Sequence, residues 1–314
     1  MRLVIPAIAA VLIAVPAQTQ SQTQGTAAPF TVVEQNRGYT SLADAVNAIG
    51  GGSGTIRVAP GTYRDCAVQT EGRVSFVAQT PGTAVFDGGV CEGKAVLVLR
   101  GAGSKVDGLV FRNIRVPDGN GAGIRMEQGN LVVSNAMFLD SQSGILAGAD
   151  PASSIEIDRS SFAGLGKDPT GNGAHAVYIG RYGAVRVTAS RFERGTGGHY
   201  LKSRAAKTIV TGSSFDDSKG QDTNYLIDMP NGSTGRIADN TFVQGPNKIN
   251  YSTLITVAPE GVEHSSAGMT IEGNTATLAP GFEYRTTFVG NWSDDKVTVR
   301  DNALAERITV YEER

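Results

Sequence analysis

The chain has 314 residues, a formal net charge of −2 and only 18% charged side chains, so it carries no basic footprint for nucleic acid. Forty glycines are roughly twice the usual share, and they are spread along the chain in turn-like pairs and triplets, which points to many tight corners and not to one disordered tract. Twelve prolines are too few for a Pro-rich linker protein.

Residues 1–17 read as a secretory signal: Arg2, the apolar run LVIPAIAAVLIAV and the small-residue end Val15-Pro16-Ala17. The run is short and proline-broken for a membrane span, so no membrane attachment is expected after cleavage. Residues 18–30 form a polar lead-in, and residues 31–314 are expected to form one domain. In SLADAVNAI, Ser41 stands ahead of Leu42, Ala45, Val46 and Ile49 at helical spacing, which predicts a short amphipathic helix capping the N-terminal end of that domain. A signal implies an oxidising compartment, where Cys66 and Cys91 are expected to pair; two buried thiols are the alternative.

From about residue 100 onward the chain repeats without a fixed period. Phe111, Phe138, Phe162, Phe192, Phe215 and Phe242 are separated by 27, 24, 30, 23 and 27 residues, each after a short β-branched run. Ser160, Ser190, Ser213, Asn240, Asn274 and Asn302 stand two residues before the Phe or before the residue in its place. Stacked β-coils explain both series: Phe fills the interior, Ser and Asn shape the corner beside it, and loops of unequal length vary the period.

Three segments, AVYIGR, HYLKSR and YLIDMP, then place Tyr178, Lys202 and Asp228 at equivalent positions, 24 and 26 residues apart. In parallel stacking, equivalents lie about 4.8 Å apart. Strand alternation sends Val177, Ile179, Leu201, Ser203, Ile227 and Met229 inward, and Tyr178, Tyr200, Lys202, Arg204 and Asp228 outward. His175, His199 and Tyr225 stand at strand entrances, where either direction is open. The long insertions before these strands, ending at Ala174, Asn224 and Ser252, are expected to wall a groove.

The entrance pattern SLADAVNAI-GGGSGTIRVAPGTY resembles secreted proteins of the pectate-lyase-like superfamily. GGHYLKSRA (197–205), NYLIDMPNG (224–232) and TLITVAPEG (253–261) look like a run found in secreted bacterial β-helix proteins. The resemblance implies an all-β right-handed parallel β-helix and, from its polysaccharide lyases, β-elimination on an anionic, uronic-acid-containing polysaccharide. It implies Lys202 and Tyr178 as base or acid and Arg204 and His199 as charge-neutralising groups; Asp228, His175 and Tyr200 are expected at the substrate. Whether Lys202, Tyr178 or His199 is the base stays open at this point.

A glycoside hydrolase and a non-catalytic polysaccharide-binding β-helix are the alternatives. No cofactor is expected; calcium would need Asp216, Asp217 and Asp222 to converge. The protein is expected to be a secreted or periplasmic monomer.

Overall fold

The structure is a computed structural model that describes Met1 and residues 28–166 and 174–314. The signal and most of the lead-in lie outside the described residues, as does the greater part of the insertion before Tyr178.

Three sheets of twelve, ten and ten strands run the length of the molecule, and the chain visits them in turn, coil after coil. One coil shows the pattern: Tyr182–Thr188 lies in the first sheet, Arg191–Glu193 in the second and Leu201–Ser203 in the third. Strands pair in parallel from coil to coil; among the described residues, antiparallel strand pairs are confined to Phe30–Val32, which pairs with Arg37–Tyr39 and with Ser53–Val58. The fold is therefore an all-β solenoid, with each coil buried by its neighbours.

The expected ladders are both present. Phe111 pairs with Phe138, Phe138 with Phe162, and so on through Phe242. The rings stack with centroids 4.6–5.2 Å apart. Phe86, not recognised as a member from the sequence, extends the stack by one coil at 5.7 Å. Two-residue corners join the first and second sheets. Their first residue is left-handed (Arg159 φ 44°, Ala189 φ 47°, Asp239 φ 57°, Asp301 φ 55°) and their second is the Ser or Asn of the series. That side chain accepts the backbone N–H of its counterpart one coil earlier: Ser160 N to Ser190 Oγ (3.2 Å), Ser213 N to Asn240 Oδ1 (2.9 Å) and Asn274 N to Asn302 Oδ1 (2.9 Å). Donors that the sharp corner takes out of the ladder are thus satisfied.

The helix Leu42–Ile49 starts at Ser41, whose Oγ accepts from Asp44 N at 3.1 Å, and buries Leu42, Ala45 and Val46 in the same core as the first coils. Cys66 and Cys91 form the expected disulfide, with Cα atoms 5.5 Å apart. No helix among the described residues is long and apolar enough to cross a membrane.

One expectation about a side chain needs correction. Tyr200 was expected outside, but it precedes the strand Leu201–Ser203, so alternation does not govern it. It turns into the core at 2% exposure, donates to Asp217 Oδ1 at 2.8 Å and accepts from Gly195 N at 2.9 Å, and so does not face a substrate. Burial, with the Asp217 carboxylate beside it, raises its phenol well above the ordinary tyrosine value. The Asp217 carboxylate is fully buried and bonded by Tyr200, Thr223 and Lys248, the last at 2.9 Å.

Candidate active site

The outer face of the third sheet carries the candidate residues. Tyr178 pairs with Lys202 and Lys202 with Asp228 in direct register, and Thr256 comes next on the adjoining coil. The three expected side chains therefore lie abreast on one face. They do not form an open row, because Lys202 is 6% and Asp228 1% exposed while Tyr178 is half-buried.

A loop that follows the row in sequence lies against Lys202 and Arg204. After the strand Thr253–Val257, residues 258–266 fold back over the row. Glu263 N and His264 N both donate to the Asn231 carbonyl at 2.9 Å, and Glu263 forms a two-pronged pair with Arg181 at 2.7 Å. This brings Glu260 onto both cations: Oε1 lies 2.5 Å from Lys202 Nζ and Oε2 2.5 Å from Arg204 Nη2. Burial acts to raise the Glu260 carboxyl, but Lys202 and Arg204 outweigh it and hold the group at about 2. The walls were expected before the strands; the loop that touches the site comes after one.

Asp228 anchors the other side of Lys202. Its Oδ2 lies 2.9 Å from Nζ and its Oδ1 accepts from Thr256 Oγ1 at 2.7 Å. With both oxygens engaged, Asp228 positions Lys202 and presents no free carboxylate to a groove. Arg204 lies half-buried, with Nε donating to the Tyr178 hydroxyl at 3.0 Å and Nη1 donating to Asn231 Oδ1. Its guanidinium carbon is 6.0 Å from the Tyr178 ring centre. Burial opposes the charged form of Arg204, yet Glu260 and Tyr178 raise it above the ordinary value.

His175 and His199 turn toward this cluster. Their rings are 4.8 Å apart, His175 stacks on Tyr178 at 5.8 Å, and His199 lies 5.6 Å from Tyr225. Burial first, then neighbouring cationic groups including Lys202, lowers both to about 3, so both rings are neutral in ordinary buffers. The backbone N–H of His199 donates to His175 Nδ1 at 3.0 Å, so that nitrogen carries no proton. The two Nδ1 atoms are 3.1 Å apart, and His199 Nε2 lies 3.4 Å from Asp228 Oδ2.

The structure thus joins six of the seven predicted site residues, Tyr178, Lys202, Arg204, His175, His199 and Asp228, and leaves out Tyr200. It adds Glu260 and Asn231. The signal for Glu260 was an acidic residue at the tip of a loop just past the register row, which local periodicity cannot aim.

Residues 95–304 match the family model described as right handed beta helix region. No curated protein matches the chain. Among solved structures it is similar to the PL6 family alginate lyase AlyGC, at 16% identity over 82% of this chain and 40% of that one, with a TM-score of 0.47. It is similar to the Streptococcus pneumoniae surface protein and adhesin PfbA, at 12% identity over 86% and 94% of the two chains and a TM-score of 0.46. A third is Geobacillus virus E2 ORF18, at 13% identity, 82% and 58% coverage and a TM-score of 0.44. The chain spans less than two thirds of the virus and lyase chains. On the family match the chain belongs to the right-handed β-helix proteins.

Proposed function

We propose that the protein is a secreted or periplasmic polysaccharide lyase that cleaves a uronic-acid-containing polymer by β-elimination. The observation that carries the reading is that Arg204 bonds the Tyr178 hydroxyl at 3.0 Å while one exposed loop carboxylate, Glu260, bridges Arg204 and Lys202. A substrate carboxylate exchanged for that of Glu260 would meet the same two cations.

β-Elimination needs a neutralised carboxylate, a base for the C5 proton and an acid for the departing O4. Arg204, a planar fork of fixed charge, takes the carboxylate and favours the enediolate. Tyr178 takes the C5 proton as its phenolate, whose charge the Arg204 Nε–H stabilises. Electrons of the C5–H bond pass through the enediolate into a C4–C5 double bond as the C4–O4 bond breaks, and the Lys202 ammonium protonates O4. The histidines are poor candidates for the base, since an imidazole held at about 3 is far too weakly basic at working pH. Glu260 does not serve as the acid of a glycosidase, because a carboxyl held at about 2 is ionised there.

Tyr178→Phe and Lys202→Ala are expected to lower turnover by about 10²–10⁴-fold with an unchanged far-ultraviolet spectrum. Wild-type turnover in both variants rules the site out. Within the same reading the helix Leu42–Ile49 is the cover of the first coil, shielding an apolar end and open strand edges. The disulfide agrees with an oxidising compartment.

A further inference from the structure

The outer row continues from Tyr178 toward the N-terminus through Leu146 to Arg125, each in direct register with the next. Two coils at about 4.8 Å place Arg125 roughly 10 Å from Tyr178 on the same face. A cavity of about 350 Å³ opens there, lined by Gly93, Lys94, Asp118, Asn120, Arg125 and Leu146. Beside it, Val98, Ala95 and Ala122 form a small, fully buried apolar cluster, with the partly buried Val68 and Leu146 packed against it.

Arg125 is incompletely satisfied. Its Nε is buried with no hydrogen-bond partner, and the carboxylate that approaches it, Glu127 Oε1, stops at 3.8 Å. Glu127 is committed elsewhere, to Arg100 at 2.5 Å and Lys94 at 2.9 Å. With its side chain 31% exposed, Arg125 is reachable by an incoming anion, to which its guanidinium would donate.

We infer that this cavity is a second carboxylate-binding subsite, which takes a uronate residue two sugars away from the one at Tyr178. The inference rests on the proposed action on uronate polymers and extends it. The coil spacing of about 4.8 Å is close to the rise of one pyranose in an extended 1,4-linked chain, so a polymer lying along the solenoid puts about one sugar on each coil. The carboxylate of the far sugar meets Arg125 and its hydroxyls meet Asn120, while the apolar ring face of the intervening sugar lies on Leu146.

The test is calorimetric titration of the full chain with hexasaccharides of alginate and of polygalacturonate. Arg125→Ala is expected to weaken the better ligand about tenfold, the scale of a hydrogen bond to a charged group. Arg125→Lys, which keeps the charge and loses the fork, is expected to restore part of that loss. Combined with Arg204→Ala, the two losses are expected to multiply, as for separate contacts. Equal binding by wild type and Arg125→Ala, or no binding of either hexasaccharide by wild type, overturns the subsite. Arg125-dependent binding without any unsaturated product refutes the lyase reading and leaves the subsite standing.

Discussion

Lys202 touches two carboxylates of different character, and the difference defines their roles. Asp228 is buried with Thr256 and fixes the ammonium, whereas Glu260, with a side chain 45% exposed, sits on a loop at the solvent edge of the site. Glu260→Ala is expected to lower KM for the polymer, because no internal carboxylate then competes; a raised KM would show that Glu260 holds the cations in place for substrate. The pH dependence of stability comes from the lowered groups. His175 and His199 fall from 6.5 to about 3 and Glu260 from 4.5 to about 2 on folding, so for each the unfolded chain binds more protons in that interval. Their stabilisation is complete above about pH 6.5 for the histidines and 4.5 for Glu260, and it is lost as pH falls toward about 3 and 2. Urea midpoints should therefore drop between pH 6.5 and 3, and His175→Gln with His199→Gln should flatten that slope; an unchanged slope contradicts the buried neutral pair. The outward placement of Tyr178, Lys202 and Asp228 was legible because two-residue alternation governs a strand. Tyr200 was not, because it stands one residue before the strand, where a corner sets direction.

At the scale of elements, the Phe stack and the Ser/Asn corners were legible because each repeats once per coil and chemistry fixes the repeat. Phe192 lies between rings at 4.7 and 4.6 Å and is fully buried, so Phe192→Ala should cost about 3–5 kcal/mol. Chemical denaturation measures this. The inserted loops were harder to read, since their partners lie on other coils. Asp217 and Lys248, 31 residues apart, form a fully buried pair that ties two of the insertions together, with Thr223 bonded to both. Burial lowers Lys248 despite the attraction of Asp217. Asp217→Asn leaves that ammonium without its counter-charge and should destabilise by about 3–5 kcal/mol, measured by the same denaturation. A cost below about 1 kcal/mol, the range of an exposed pair, would show that the pair is solvated.

As a whole, the molecule is a one-dimensional stack whose strength lies in neighbour contacts, with the site on its middle coils and the disulfide near its N-terminal end. The disulfide closes a 25-residue separation, for which chain entropy gives about 3 kcal/mol, so reduction should lower the melting temperature without altering activity at 25 °C. The solenoid was legible from composition and spacing; the closed, charge-balanced state of the site was not, because it depends on how residues 258–266 fold back over coils distant in sequence. The decisive measurement is incubation of the wild-type protein with alginate, polygalacturonate, glucuronan and glycosaminoglycans, then ultraviolet absorbance and a reducing-end assay. One of these polymers should yield reducing ends together with the absorbance of a C4–C5 double bond, and Tyr178→Phe should yield neither. New reducing ends without that absorbance would make the protein a hydrolase, and the absence of both from every polymer would contradict the catalytic account.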